Sequence, residues 1–227
     1  MVRTYLVIGS SSEIGALVCA KLECLENRVI RIDARGGDIK ADFTTPSGRF
    51  ELAEKVTEFT DGNIDSIIFT SVTHLNKPVA ISNNYFGITQ FIEALNDELK
   101  KSSLPRVSIL NYFDQTSEIS EELLSAILHS NEKKALKIAQ QILETTPSLA
   151  YQNYATSQKA IQKWVTESAQ KRFQRKKKIL INAVTFDQAV NLSEVADLLI
   201  WLASPTNQNH SGEILNTNAL LELSTAL

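Results

Sequence analysis

Short apolar runs alternate with longer stretches of helical character along the chain, and this alternation limits the possible folds more than any other feature. The apolar runs are Tyr5–Ile8, Val29–Ile32, Ser66–Phe69, Val107–Leu110, Ile179–Val184 and, near the C-terminus, Glu213–Leu215. Apolar residues recur at helical spacing in Ala16–Leu25, Pro46–Phe59, Asn84–Lys100, Ala155–Arg172 and Ser193–Ala203. Continuous apolar runs are typical of strands buried on both faces of a parallel sheet. The pattern therefore predicts an α/β fold with a doubly wound parallel sheet.

One segment departs from this alternation. Roughly 40 residues separate the strand Val107–Leu110 from the predicted helix that carries Tyr154, and this distance is longer than a simple connection between elements. Within this segment, Glu121–Leu128 and Glu132–Leu143 have helical composition and spacing. We therefore expect a single domain over residues 1–227, with a helical insertion at about 117–146. Such an insertion can cover a substrate site or supply an oligomer interface.

Composition and charge argue against several classes of partner. The net charge of −3 gives no general attraction for nucleic acid, and the basic stretch 171–178 is interpreted as a solvated helix end. No apolar run approaches the roughly 20 residues that span a bilayer. Because the strand pattern starts at once, we expect no signal peptide and a cytoplasmic location. His74, His129 and His210 lack ligand-like spacing, so no metal site is predicted.

The first predicted strand leads into a glycine-containing turn, Gly9-Ser10-Ser11-Ser12-Glu13-Ile14-Gly15, before a predicted helix. A helix N-terminus offers unpaired N–H groups and the positive end of the helix dipole, and it therefore binds phosphate readily. Gly9 would permit the tight turn, and Gly15 would permit close packing of the helix on the strand. We expect Gly9, Ser11, Ser12, Ile14 and Gly15 to contact a phosphate-bearing ligand. The alternative is an ordinary strand–helix turn with serine caps.

The second predicted strand favours the ligand-binding interpretation. It ends at Asp33, about 20 residues after the glycine turn, where a carboxylate would accept hydrogen bonds from the adenosine ribose of a dinucleotide. The same carboxylate would repel a 2′-phosphate, although Arg35 follows two residues later. Together these features predict a Rossmann-type site that takes NAD rather than NADP.

Four segments then resemble the short-chain dehydrogenase/reductase family. The glycine turn is similar to its Gly-x3-Gly-x-Gly motif, and Ala41-Asp42-Phe43 is similar to the Asp-plus-apolar pair that contacts adenine. Asn84-Tyr85-Phe86-Gly87 matches the segment whose Asn holds a proton-relay water, and Tyr154-Ala155-Thr156-Ser157-Gln158 lies where the family carries Tyr-x3-Lys. Ile32-Asp33-Ala34-Arg35, Leu149-Ala150-Tyr151 and the insertion resemble in particular the family's bacterial 3α-hydroxysteroid dehydrogenase/carbonyl reductase branch.

The resemblance implies hydride transfer between a nicotinamide and a carbonyl or alcohol, with Tyr154 as the proton donor. In the family, a lysine one helical turn after the tyrosine favours its phenolate, because a phenol with a pKa of about 10 stays protonated at neutral pH. Gln158 takes that position here, and it can hydrogen-bond a ribose but carries no charge. Asn84 and Gln158 are expected to hold the ribose and the relay water.

The nicotinamide side of the site differs from the family at further positions. Tyr112 follows the predicted strand Val107–Leu110, where the family, in which this is the fifth strand, has its substrate-binding serine, so a phenol would contact the carbonyl oxygen. Val72 lies where the family has a glycine, and Ala183-Val184-Thr185-Phe186-Asp187 lacks the family's Pro-Gly pair. These differences predict a degenerate active site with weak or altered hydride transfer.

Three functions remain open from the sequence. The first is an NAD(H)-dependent oxidoreductase for a small carbonyl or alcohol substrate, with reduction as the favoured direction. The second is a catalytically impaired subunit that binds NAD or a partner protein. The third is non-redox chemistry, such as that of a lyase or isomerase, with Tyr112 and Tyr154 as the reacting groups. We expect a homo-oligomer, such as a dimer, or a complex with another protein.

Overall fold

The strands of the computed structural model form one parallel sheet. The structure describes residues 2–73, 76–112, 116–172, 179–186 and 191–217. The strands in these ranges are β1 (Thr4–Ile8), β2 (Arg28–Asp33), β3 (Ile39–Lys40), β4 (Ser66–Phe69), β5 (Arg106–Leu110), β6 (Leu180–Thr185) and β7 (Ile214–Asn216). Their order across the sheet is β3-β2-β1-β4-β5-β6-β7, and each neighbouring pair is parallel. The predicted α/β class with a doubly wound parallel sheet is confirmed.

Helices connect these strands. They are α1 (Glu13–Cys24), α2 (Pro46–Thr60), α3 (Val79–Ile81), α4 (Ile88–Ala94), α5 (Asn96–Leu99), α6 (Glu121–Leu128), α7 (Glu132–Thr145), α8 (Tyr151–Arg172) and α9 (Leu192–Ala203). A π-helical stretch, Ser82–Gly87, joins α3 to α4, and a 3-10 turn, Pro147–Leu149, precedes α8. Among the helices in the described ranges, none is long and apolar enough to cross a membrane.

The sheet is covered by apolar side chains on both faces. On one face, α1 and α9 pack over Val7 and Ile68. On the other face, α2, α4 and α8 pack over Leu6 and Ile67. Because successive strand residues point to opposite faces of the sheet, burial of both faces requires apolar residues at every position of the central strands. This requirement explains the continuous apolar runs of the sequence.

Two parts of the secondary structure differ from the expectation. The predicted helix Asn84–Lys100 is divided into part of the π-helical stretch, α4 and α5, and the backbone leaves helical geometry at Leu95 with φ −91° and ψ 11°. Apolar spacing continues across these breaks, so periodicity does not reveal them. Strand β3 was not predicted, because its two residues, paired with Ile32 and Asp33, are too few to show a period.

The two helices predicted between the fifth strand and Tyr154 are present as α6 and α7. Helix α6 packs against α7 and α8, and its Leu123 and Ile127 are fully buried. Arg49 of α2 is 2% exposed and forms a bidentate ion pair with Glu132 at the start of α7, with N–O distances of 2.6 and 2.7 Å. This pair attaches α7 to the helices that pack on the sheet.

Candidate functional site

A groove lies beyond the carboxyl ends of the central strands, where β1 has β2 on one side and β4 on the other. Open α/β sheets bind ligands at this point, because the connections on either side of it run in opposite directions and leave a crevice. Two cavities lie in the groove, with volumes of about 400 and 650 Å³, and Ser71 lines both. We call the smaller one the β2-side cavity, since Asp33 lines it, and the larger one the β6-side cavity, since Phe186 lines it.

The turn between β1 and α1 contains two glycines whose surroundings leave no room for a side chain. Gly9 has a φ of +84°, and a Cβ atom there would lie 2.2 Å from Oγ of Ser71. A Cβ atom on Gly15 would lie 2.2 Å from the carbonyl oxygen of Gly9. Ser12 caps α1, since its hydroxyl oxygen accepts a hydrogen bond from the Gly15 N–H at 3.0 Å. The turn therefore brings its backbone close to the groove, and Ser12 and Ile14 line the β6-side cavity.

Asp33 lies at the end of β2, and its carboxylate is attached to the glycine turn. One oxygen accepts from the backbone N–H of Ser11 at 3.0 Å, and the other accepts from the backbone N–H of Arg35 at 2.9 Å. Asp33 and Arg35 both line the β2-side cavity. Each carboxylate oxygen has a second lone pair, so the fixed carboxylate can also accept hydrogen bonds from ligand hydroxyls.

Asp42 and Phe43 also line the β2-side cavity. Oδ1 of Asp42 accepts from the hydroxyl of Thr44 at 2.6 Å and from its backbone N–H at 2.8 Å, and these two bonds hold the pKa of Asp42 below its usual value. The Phe43 ring meets the Phe91 ring edge-on, with 5.5 Å between centroids. An anchored aromatic ring beside a carboxylate suits contact with a flat heteroaromatic group.

Asn84, in the π-helical stretch, lines the β2-side cavity and is hydrogen-bonded on both sides of its amide. Its Oδ1 accepts from the backbone N–H of Thr73 at 2.8 Å. Its Nδ2 donates to the Thr73 carbonyl at 3.0 Å and to the Ser157 hydroxyl at 3.2 Å. Asn84 therefore ties the segment after β4 to α8, and its water-holding role stays a prediction.

Gln158 belongs to a chain of buried amides between β5 and α8. It is 1% exposed, and its Oε1 accepts from Nδ2 of Asn111 at 2.9 Å. Oδ1 of Asn111 accepts in turn from Nε2 of Gln162 at 3.0 Å. Nε2 of Gln158 has no hydrogen-bond partner among the described residues. The sequence analysis gave no role to Asn111 or Gln162. The one sequence signal for this contact was that Gln158 and Gln162 lie one helical turn apart.

The two predicted catalytic phenols are neighbours with different access to the groove. Tyr154 is 1% exposed, and its hydroxyl donates to the Tyr112 carbonyl at 2.7 Å. Burial, with smaller contributions from the phenols of Tyr151 and Tyr112, raises the pKa of Tyr154 above its ordinary value. Tyr112 is half-buried and lines the β6-side cavity, and its ring centroid lies 5.3 Å from that of Phe186. Tyr154 lines neither cavity.

Apolar side chains provide much of the wall of the β6-side cavity. Val72, which lies where the family has a glycine, lines it together with Leu110 and Leu192, to which the sequence analysis gave no role. Glu13 is the one charged residue among the described residues that line it. In the segment after Phe186, residues 187–190 lie outside the described residues, as do His74 and positions 173–178 of the basic stretch. No group of three or more potential metal ligands occurs within the described ranges.

Comparison with known proteins gives one curated relative at low identity. No protein-family profile matches the chain. The 3-alpha-hydroxysteroid dehydrogenase/carbonyl reductase of Comamonas testosteroni is 25% identical over 151 residues, which are 64% of this chain. The matched part spans 59% of the length of that relative.

Solved structures match over nearly the whole chain. The 3-alpha-hydroxysteroid dehydrogenase from Pseudomonas sp. B-0831, complexed with NADH, has a TM-score of 0.84 at 23% identity, covering 97% of this chain and 98% of that chain. A short-chain dehydrogenase/reductase family oxidoreductase from Brucella ovis, with a partially ordered NAD, has a TM-score of 0.67 at 16% identity, covering 95% and 99%. Menthone neomenthol reductase from Mentha piperita has a TM-score of 0.70 at 16% identity, covering 96% and 99%.

At these identities the solved structures establish the fold, and the curated relative adds similarity of sequence. The resemblance of this chain to the short-chain dehydrogenase/reductase family, and to its 3α-hydroxysteroid dehydrogenase/carbonyl reductase branch, is thus confirmed.

Proposed function

We propose that this protein binds NAD(H) in the groove between β1 and β4 and catalyses, with altered machinery, reduction of a small carbonyl compound or oxidation of an alcohol. The observation that carries the proposal is the glycine turn. Gly9 and Gly15 leave no space for a Cβ atom, and the carboxylate of Asp33 is bound to the same turn through the Ser11 N–H. A turn of this kind lets a pyrophosphate approach the N-terminus of a helix, so the residues present fit a dinucleotide.

In this proposal the β2-side cavity binds the adenosine half of the cofactor, and the β6-side cavity holds the reacting groups. In the β2-side cavity, Asp33 would bind the adenosine ribose, and Asp42 and Phe43 would contact the adenine. The backbone of Ser12 and the side chain of Ile14 would border the pyrophosphate and the start of the β6-side cavity. The bound cofactor would supply a hydride to a carbonyl carbon, or accept one from an alcohol. The apolar wall of the β6-side cavity would exclude water from the reacting groups.

Asp33 also supports NAD over NADP. Both of its oxygens are fixed by backbone N–H groups, so the carboxylate cannot turn away from a ligand without losing those bonds. A 2′-phosphate on the ribose would place a second negative charge next to it, which is unfavourable at short range. Arg35 lines the same cavity and is exposed, where an ion pair with a phosphate contributes little.

The relatives support the same class of ligand and reaction. The Pseudomonas structure contains NADH, and the Brucella structure contains NAD. The name of the Comamonas relative includes carbonyl reductase activity, and the Mentha protein is a reductase of menthone. In this proposal the present chain shares NAD(H) binding and carbonyl reduction with these relatives.

A second candidate function is a protein that binds NAD(H) without efficient turnover. It is favoured by the surroundings of Tyr154, whose hydroxyl is bound to the Tyr112 carbonyl and whose one-turn neighbour is the uncharged Gln158. No cation at that position favours the phenolate that alcohol oxidation requires.

Turnover measurements on the purified full chain separate the two candidates. NADH and NADPH binding is measured by titration of nucleotide fluorescence, and a panel of small ketones, aldehydes and quinones is screened through loss of nucleotide absorbance. The proposal predicts NADH binding and turnover of at least one carbonyl. Binding of NADH without turnover would favour the second candidate, and binding of neither nucleotide would contradict both.

A further inference from the structure

The hydroxyl of Tyr154 is already engaged inside the protein. It has one proton, which it donates to the Tyr112 carbonyl oxygen at 2.7 Å. The side chain is buried, and its ring packs 5.5 Å from that of Tyr151. To protonate a substrate in the groove, Tyr154 would have to give up this hydrogen bond and reach a cavity that it does not line.

Tyr112 lies at a different place, two residues after Leu110, which ends β5 and lines the same β6-side cavity. Its neighbour Asn111 is fixed to β6, since the Asn111 N–H donates to the Val184 carbonyl at 2.8 Å. Tyr112 lines the β6-side cavity and is packed against Phe186 on one side of its ring. The phenol that borders the substrate region is therefore held by β5 and by the hydrogen bond from Tyr154.

We propose that Tyr112, rather than Tyr154, is the phenol that gives its proton to the substrate oxygen, and that Tyr154 is a positioning residue that fixes the Tyr112 backbone. This inference rests on the proposed function, because it assigns a role within the same reaction. It reverses the roles that the family resemblance implies, in which Tyr154 donates the proton and Tyr112 contacts the carbonyl oxygen.

The proton balance of the step is simple. In reduction, the carbonyl carbon gains a hydride from a reduced nicotinamide, and the carbonyl oxygen gains the hydroxyl proton of Tyr112. The products are the alcohol, the oxidised nicotinamide and the Tyr112 phenolate. The phenolate then takes a proton from water, to which the half-buried Tyr112 has access. Tyr154 keeps its proton and its hydrogen bond throughout.

The direction of the reaction follows from the role given to Tyr112. A neutral phenol acts as an acid, so it can give its proton to a carbonyl oxygen during reduction. Oxidation of the alcohol would require the phenolate at the start of the reaction and is expected to be slower.

Three matched phenol-to-phenyl substitutions test the assignment. Tyr112→Phe should lower kcat for carbonyl reduction by roughly 100-fold or more, the usual contribution of a positioned proton donor, while NADH affinity stays within about threefold. Tyr154→Phe should lower kcat by less than about tenfold and leave the shape of the pH–rate profile unchanged, because only the support of the Tyr112 backbone is lost. Tyr151→Phe, at an exposed phenol beside Tyr154, is the control and should behave like the wild type.

Nitration provides a readout that does not depend on turnover. Tetranitromethane modifies accessible phenols, and peptide mass mapping locates the nitrated residues. In the wild-type chain we expect nitration of Tyr112 that NADH suppresses, nitration of the exposed Tyr151 that NADH does not suppress, and no nitration of Tyr154. Nitration of Tyr154 ahead of Tyr112 would overturn the inference.

The kinetic outcomes distinguish failure of the inference from failure of the proposed function. A collapse of kcat in Tyr154→Phe with near wild-type kcat in Tyr112→Phe would overturn the inference and leave the proposed function in place. A wild-type chain that binds NADH but reduces no carbonyl would overturn the catalytic role of Tyr112 and favour the second candidate function. Absence of NADH binding would overturn both.

Discussion

At the scale of single residues, the turn after β1 tolerates the least change. Gly9→Ala would place a methyl group against Ser71 and force an alanine into a φ of +84°, which costs roughly 1–2 kcal/mol before any clash is counted. We expect NADH affinity to fall at least about tenfold, the equivalent of about 1.4 kcal/mol. Gly36→Ala is the matched control, because no atom lies within 4 Å of a Cβ there, and it should bind NADH normally. Unchanged affinity in Gly9→Ala would contradict the assignment of this turn to the cofactor.

The role proposed for Asp33 leads to a prediction about the preference for NADH over NADPH. Asp33→Asn keeps an oxygen to accept from the Ser11 N–H but removes the charge that repels a 2′-phosphate. Hydrogen bonds to charged groups contribute about 1.5–3 kcal/mol, so NADH affinity should fall by roughly 10- to 100-fold and the preference over NADPH should shrink. Calorimetric titration of this variant with NADH and with NADPH measures the affinity and the preference. Asp38→Asn, which changes a carboxylate outside the groove, should keep the wild-type preference, and an unchanged preference in Asp33→Asn would exclude the proposed role.

The residues of the site differ in how far the sequence could predict them. Gly9, Gly15 and Asp33 act through backbone conformation and strand ends, so their local sequence predicts their positions, and the structure brings them together. The contact of Asn111 with Gln158 joins residues 47 apart in the chain and depends on how α8 packs on β5. The hydrogen bond from Tyr154 to the Tyr112 carbonyl depends on the same packing. Spacing along one helix could not reveal either contact.

At the scale of elements, the ion pair between Arg49 and Glu132 adds to the apolar packing that attaches α7 to the core. Glu132→Ala would leave the guanidinium of Arg49 buried without a carboxylate, although its bonds to the Gln90 side chain and the Phe43 carbonyl remain. Loss of one partner from a buried pair typically costs about 3–5 kcal/mol. Urea unfolding of the full chain should show a loss of this order.

Two further variants check this prediction. Glu122→Ala removes an exposed glutamate from the first turn of α6 and should change the free energy of unfolding by less than about 0.5 kcal/mol. The double substitution Arg49→Met with Glu132→Leu removes both charges and should be less destabilising than Glu132→Ala. If Glu132→Ala lowered the free energy of unfolding no more than Glu122→Ala, the ion pair would not contribute to the attachment of α7.

Helical periodicity predicted α6 and α7. The ion pair that helps to attach α7 joins residues 83 positions apart, so no local pattern in the sequence could reveal it.

At the scale of the whole molecule, buried phenols make the free energy of unfolding fall as the pH rises above about 10. Burial raises the pKa of Tyr85 to about 12 and also raises the pKa values of Tyr5 and Tyr154. In the unfolded chain these phenols ionise at a pH of about 10. Their contribution to stability is therefore complete below pH 10 and is lost as the pH rises towards the folded-state values. The free energy of unfolding should fall by up to about 1.4 kcal/mol per pH unit for each phenol.

Urea unfolding at pH 9, 10 and 11 measures this dependence, and Tyr85→Phe is the informative variant. Removing the Tyr85 hydroxyl should reduce the slope of the free energy of unfolding against pH between pH 10 and pH 11. An identical slope in the variant and the wild type would show that Tyr85 ionises equally in the folded and the unfolded chain.

The parallel sheet was predictable from the sequence, because its alternating pattern of strands and helices extends along the whole chain. The short strand β3 and the π-helical stretch were not predictable.

Calorimetric titration of the wild-type chain with NADH and with ADP-ribose tests the proposed cofactor site. In the proposed complex, the adenosine half of the cofactor lies in the β2-side cavity, next to Asp33, Asp42 and Phe43. We predict one site for each ligand, with dissociation constants within about tenfold, equivalent to about 1.4 kcal/mol. Binding of NADH without binding of ADP-ribose, or binding of neither, would contradict the proposal that this protein retains the adenosine half of a dinucleotide site.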